Sequence, residues 1–195
     1  MQVFSKAVTI SQLTGDGSRP SQSQIIAALF PPMPEYYRGL IHDWPVEVKQ
    51  QIAGLVAPLM GWNPEPKRVL LVGPVGSGMI ATMHGVSKLA EARCLRIQIT
   101  PDMLACELVR MFNQVKEEEE EEEERLLVII EDCGFKRPQN NGSPANSLLG
   151  RYLDRLKGRN NLVVVVATHD VDTLSEDLAG RFGEVTIDLT PPQFS

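Results

Sequence analysis

Eight consecutive residues have the types and spacing to hold a phosphate group: Gly73, Pro74, Val75, Gly76, Ser77, Gly78, Met79 and Ile80. Before them, Val69 to Val72 is a short apolar run of the kind that forms a buried strand. After them comes an apolar segment with helical spacing. Strand, glycine-rich turn and helix are the context in which backbone N–H groups at a helix start cradle an anion. The pattern for that chemistry is G-x-x-x-x-G-K-[ST]. Gly73 and Gly78 stand at the required separation, but Met79 occupies the lysine position and Ile80 the serine or threonine position. Met79 cannot place a positive charge on the β- and γ-phosphates, and Ile80 cannot ligate Mg²⁺. The scaffold of a nucleotide site is written into the chain without its two reactive side chains.

Other polar residues follow apolar runs in the same way. Glu131 and Asp132 close the run Leu126 to Ile130, and Thr168, His169 and Asp170 close the run Leu162 to Ala167. Arg181 precedes a last apolar segment, Glu184 to Leu189. Each has a plainer reading. Met79 and Ile80 suit a helix packed near a sheet, and His169 and Asp170 suit a turn. Glu131 and Asp132 suit strand-end acids, and Arg181 suits a salt bridge to Asp177 or Glu184. Lys67, Arg68 and Lys88 are the nearby cations that could replace the absent lysine.

The elements that must position these residues alternate. Strands are expected near 68–72, 94–99, 126–131, 162–167 and 184–188, all parallel, with the 69–72 strand central. Each strand is too apolar to be half-exposed, so a parallel sheet covered on both faces is the natural packing. In such a sheet ligands bind outside the carboxyl ends of the strands, which sets the glycine loop, Glu131-Asp132 and His169 along one edge. Helices are expected at 21–30, 35–44, 45–60, 80–92, 101–116 and 144–156, with a short one at 173–179 capped by Asp172 and ended by Gly180. Thr14 to Pro20 reads as a loop, and Tyr36, Tyr37 and Trp44 read as packing residues.

With 195 residues the chain is most simply one domain. Its net charge of -6 is local, because eight of its 25 acidic residues form the run Glu117 to Glu124. The remaining 17 against 19 basic residues leave +2. A near-neutral body has no basic field to attract nucleic acid. The run itself reads as a solvated spacer, since eight like charges repel. Three cysteines, Cys94, Cys106 and Cys133, show no metal-ligand spacing and read as buried, reduced thiols. No signal-type segment or membrane span is apparent, so an intracellular, soluble protein is expected.

From about Val46 to Pro192 the chain resembles the large subdomain of AAA+ ATPases. RVLLVGPVGSG matches the phosphate loop, LLVIIED the acidic strand, VVVVATHD the sensor strand, and LAGRFGEVTIDL the arginine-bearing segment with the last strand. The helix PVEVKQQIAGLVAPLM resembles the one that precedes the nucleotide loop. The resemblance implies a three-layer αβα doubly wound fold with strand order 5-1-4-3-2. It divides the chain into an N-terminal extension with short helices (1–44) and an AAA+-like domain (45–192) that contains the acidic run 117–124. No counterpart of the family's helical lid is expected after the last strand.

The resemblance also assigns roles by position. Gly73 to Gly78 would wrap phosphates of ATP or ADP. Glu131 falls on the metal-side aspartate and is the candidate Mg²⁺ ligand. Asp132 falls on the catalytic glutamate, His169 on the polar sensor, and Arg181 on the arginine that reaches a neighbour's site. Charge, metal, base and sensor are all altered, and phosphoryl transfer depends on stabilising transition-state charge. The expected function is a catalytically inactive, pseudo-ATPase domain that serves as a structural subunit among protein partners, AAA+ neighbours included, with no bound cofactor. The alternatives are a nucleotide-binding or active ATPase with a non-standard loop, and a subunit whose Arg181 serves a neighbouring ATPase.

Overall fold

A computed structural model describes residues 8–15, 17–31, 44–63, 67–99, 106–107, 109–110, 125–132, 150–154, 160–174, 180–182 and 185–190. The expected helix at 35–44 (Trp44 apart), the Glu117–Glu124 run, Cys133 and most of the helices expected at 101–116 and 144–156 lie outside the described residues. So do Tyr36, Tyr37, Asp177 and Glu184.

Five strands form one sheet: β1 (Lys67–Val72), β2 (Arg93–Ile99), β3 (Leu126–Asp132), β4 (Leu162–Thr168) and β5 (Thr186–Asp188). Their order is β2-β3-β4-β1-β5, and every pairing is parallel. This is the order 5-1-4-3-2. β1 is interior, between β4 and β5, but the middle strand is β4 rather than β1. β4 is built for that place, since all seven residues of LVVVVAT are buried and four are valines that suit a sheet covered on both sides.

Side-chain alternation divides the core in two. Val69, Leu71, Leu127, Ile129, Val163 and Val165 face one way, and Leu70, Leu126, Val128, Ile130, Val164 and Val166 the other. The first face is covered by α2 (Gln22–Leu29), α3 (Val46–Ala53), α4 (Val56–Leu59) and α5 (Met79–Leu89). The second packs against Tyr152 and Leu153, Leu174 and Phe182. Register then aligns the strand ends: Val72 lies beside Thr168 and Asp188, and Glu131 beside Ala167. The loops that follow β1, β3 and β4 therefore emerge at one edge.

Several local expectations are corrected. A helix, α1 (Ile10–Thr14), precedes the expected loop, and the Gln12 side chain accepts a hydrogen bond from Thr9 N–H at 3.1 Å. T-x-x-Q was the signal for it. Ile10 and Ile25 share the apolar cluster of Ile52, Leu71 and Met83, so the described N-terminal helices pack on the α/β body. The single helix expected over 45–60 is two, α3 and α4, separated by a turn at Gly54–Leu55. Pro58 explains the break: it has no N–H to give the Gly54 carbonyl, and its ring crowds that carbonyl. After β4, Val171–Thr173 forms a 3-10 turn capped by Asp170, whose Oδ1 accepts from Asp172 N–H at 2.9 Å, while residues 175–179 of the helix expected at 173–179 lie outside the described residues. Gly180 does not end a helix but lies within helical residues 180–182. Trp44 is a packing residue, edge-on to Phe30 at 6.0 Å. The thiols are less buried than expected: Cys94 is partly buried and Cys106 exposed.

Candidate phosphate-loop site

The glycine loop is stitched to both neighbours of β1. Val72 carbonyl accepts from Leu189 N–H at 2.7 Å, and Gly73 N–H donates to the Thr168 carbonyl at 3.1 Å. A Cβ on Gly73 would lie 2.9 Å from Leu189 Cβ and 3.1 Å from Ser77 Oγ, so only glycine fits there. Ser77 N–H donates to the Pro74 carbonyl at 3.0 Å and closes a tight turn. Gly76 and Gly78 have φ of 85° and 82°, the left-handed region open to glycine. Gly78 then caps α5, accepting from Thr82 N–H at 2.9 Å. The first amides of an 11-residue helix, Met79, Ile80 and Ala81, have no acceptor within it. They form the positive end of its dipole.

This backbone suits a phosphate. Pro74, Val75 and Gly76 are exposed at the loop's crest. Ser77 Oγ is buried without a hydrogen-bond partner, a state that calls for an acceptor or donor supplied from elsewhere. The side chains suit it less. Met79 is 6% exposed and belongs to the apolar cluster with Met83 and Val86, while Ile80 packs partly against it. Both therefore adopt their plain role in the core.

None of the three nearby cations reaches the loop. Arg68 is the second residue of β1, at the opposite end of the sheet, and its Nη2 donates to the Leu153 carbonyl at 2.7 Å. Lys67 precedes it. Lys88 lies nine residues beyond Met79 on α5, about 14 Å along the axis at ~1.5 Å per residue.

Glu131 does not stand ready for a metal. Both of its carboxylate oxygens are engaged by Arg96 of β2, with Arg96 Nε on Oε1 and Nη2 on Oε2, the latter at 2.7 Å. The Glu131 side chain is 16% exposed and that of Arg96 50%. With Ile80 supplying no oxygen and Glu131 paired, these positions do not fit Mg²⁺. Asp132 ends β3 opposite Ile99 in the register.

His169 meets the loop directly. Its Nδ1 lies 3.1 Å from the Gly73 carbonyl oxygen, and because a carbonyl only accepts, Nδ1 carries the proton. Thr168 Oγ1 and the Asp170 backbone close the turn that holds it, at 3.0 and 3.3 Å. Arg181 belongs to the other face. Its Nη1 pairs with Asp154 at 2.8 Å and with the Gly150 carbonyl at 3.3 Å, beside the fully buried Phe182.

The structure thus gathers the loop and His169, sets Glu131 at the same edge but on Arg96, and places Arg181 against residues 150–154. Sequence reasoning did not single out Arg96 or Asp154. Arg96 alternates with Leu95 and Ile97 along β2, a charged position beside an acidic strand end, and that was its only signal. The same cation bears on Cys94, whose thiol is pushed up by burial against the opposing effects of the Ser87 hydrogen bond and Arg96.

A glycine loop between the first strand of a parallel sheet and the helix that follows it is the architecture of the phosphate-loop nucleotide-binding proteins. Within that class the model of the ATPase family associated with various cellular activities (AAA) matches residues 69–188, and the chain belongs to that family. Nothing matches among curated proteins. Among solved structures, a RuvB mutant from Thermotoga maritima aligns over 73% of this chain and 44% of that one, with TM-score 0.54 and 18% identity. At that identity the likeness shows the fold alone, and this chain spans less than half the length of the protein it matches.

Proposed function

We propose that this is an AAA-family domain that does not hydrolyse ATP and acts as a structural subunit of a larger protein assembly. The observation that carries the reading is the burial of Met79. At 6% exposure it is a core residue, in the position where the family motif has the lysine that meets the phosphates. Ile80 packs against the same core, Glu131 is held by Arg96, and Arg68 donates to the Leu153 carbonyl at the far end of β1. Phosphoryl transfer is almost entirely positioning and charge stabilisation, so losing the cation and the metal side chains removes the rate rather than adjusting it.

A second reading, retained nucleotide binding without turnover, is favoured by the orphaned Ser77 Oγ and the left-handed glycines. ATP or ADP would then be a ligand held by backbone N–H groups. The third, in which Arg181 completes a neighbouring subunit's site, is weakened by its pairing with Asp154 and Gly150 within the chain.

The scaffold reading is tested by capturing the protein with its cellular partners and washing with ATP, ADP or a nucleotide-degrading enzyme. Equal retention of partners in all three supports it. Partners that leave when nucleotide is changed or removed contradict it and favour a nucleotide-gated subunit.

A further inference from the structure

We infer that Arg96 is a built-in cation that withholds Glu131 from divalent metal, so that the loop edge of this domain is set up to work without Mg²⁺. The inference deepens the proposed function and rests on it only in taking the loop edge as the domain's ligand edge.

Its basis is the pairing and its direction. Arg96 grips Glu131 through two nitrogens on two oxygens, the fork-to-fork arrangement that gives guanidinium–carboxylate pairs their strength and specificity. The register places Arg96 beside Ile129 and Gln98 beside Glu131, so Arg96 sits two residues back on the neighbouring strand and reaches forward along it. β2 lies on the far side of β3 from β1, which carries the loop. The carboxylate's partner therefore lies away from the loop. With strands about 4.8 Å apart, β3 and β1 are already about 10 Å from each other.

Charge balance leads to the same conclusion. A carboxylate at a strand end beside bound phosphates must be neutralised, and a hard divalent ion with oxygen ligands is the usual means. Here the neutralising charge is covalently part of the chain and always present, since a guanidinium does not deprotonate in a protein. Glu131, at 16% exposure, is the better buried partner, so Arg96 supplies the counter-charge to an acid largely withdrawn from solvent. Ile80 removes the other side-chain oxygen that a metal would use. Arg96 is thus a positioning residue that acts through Glu131.

The test uses the 195-residue, ¹⁵N-labelled chain and Mn²⁺ alone as probe, read by paramagnetic broadening of the backbone amides of Ile130, Glu131 and Gly78. The amides of the acidic run, which no substitution alters, serve as an internal reference. In the unaltered chain these three amides should stay sharp while the run broadens. Arg96→Gln should increase their broadening on the order of tenfold, the scale on which partners around a ligand set metal affinity. Adding Glu131→Gln to Arg96→Gln should abolish the gain. Equal broadening with and without Arg96 would overturn the inference, as would a gain that survives loss of the Glu131 carboxylate. If Arg96→Gln loses the native spectrum, Arg96→Lys carries the comparison, because lysine keeps the charge but not the two-pronged grip. ATP turnover by the unaltered chain would overturn the proposed function, whereas Mn²⁺ at Glu131 of the unaltered chain overturns this inference.

Discussion

His169 Nδ1 lies 3.1 Å from the carbonyl oxygen of Gly73, so the turn after β4 is tied to the first residue of the glycine loop. The Gly73 N–H already reaches back to the Thr168 carbonyl. Both polar groups of one peptide residue are therefore held by adjacent residues, Thr168 at the end of β4 and His169 just after it. His169→Ala removes one of these ties and should cost about 0.5–1.5 kcal/mol, the usual net worth of such a bond. Urea denaturation measures it, and hydrogen exchange should quicken at the loop amides more than in β4. No change in either would mean that the imidazole is a bystander.

Gly73 and Gly76 should tolerate alanine differently. At Gly73 a Cβ would come within 2.9 Å of Leu189 Cβ, and the backbone there is locked on both sides. Overpacking of this kind costs about 1–3 kcal/mol. At Gly76 nothing lies within 4 Å, and the penalty comes from φ of 85° alone. That is about 1–2 kcal/mol. Thermal unfolding of the two variants should rank Gly73→Ala as the less stable. The reverse order would show that left-handed strain outweighs crowding in this loop.

The parallel sheet was legible because each strand is a compact apolar run, with Val69-to-Val72 running into glycine and Leu126-to-Ile130 and Leu162-to-Ala167 ending in polar residues; its order was legible only through the family resemblance. The glycine loop was legible because positive φ at Gly76 and Gly78 and crowding at Gly73 favour glycine over residues that carry a Cβ. Met79 as a core residue was also among the readings available from its type. Pairings across the fold were not legible. Arg181 pairs with Asp154, 27 residues away along the chain, which nearness in sequence does not suggest, while Asp177 and Glu184 lie outside the described residues. Arg96 and Glu131 are 35 residues apart and meet only because β2 and β3 pair in register. The break at Gly54 was hidden by an apolar stripe that runs through it, although Pro58 carried the warning.

Cys94 and Cys106 should react with alkylating agents at different rates. Cys106 is exposed, while Cys94 is partly buried and burial raises its thiol above the ordinary value. The thiolate is the reactive form, so Cys94 should label more slowly at neutral pH and speed up in alkaline solution. A group raised in the folded state adds stability that is complete below its unfolded pKa and fades as pH rises through the folded one. The Cys94 contribution is therefore lost only on the alkaline side. Mass spectrometry of the labelled peptides across pH reads the order directly, and faster labelling of Cys94 at neutral pH would contradict it.

The central claim is that the loop has kept its backbone and lost its chemistry. Steady-state ATP turnover by the purified chain, with Mg²⁺ and saturating ATP, tests it most directly. The expected result is phosphate release no faster than buffer alone, unchanged by Glu131→Gln combined with Asp132→Asn. Turnover above background that this double substitution abolishes would show that the strand-end acids serve a working site, with Met79 and Ile80 no obstacle to it.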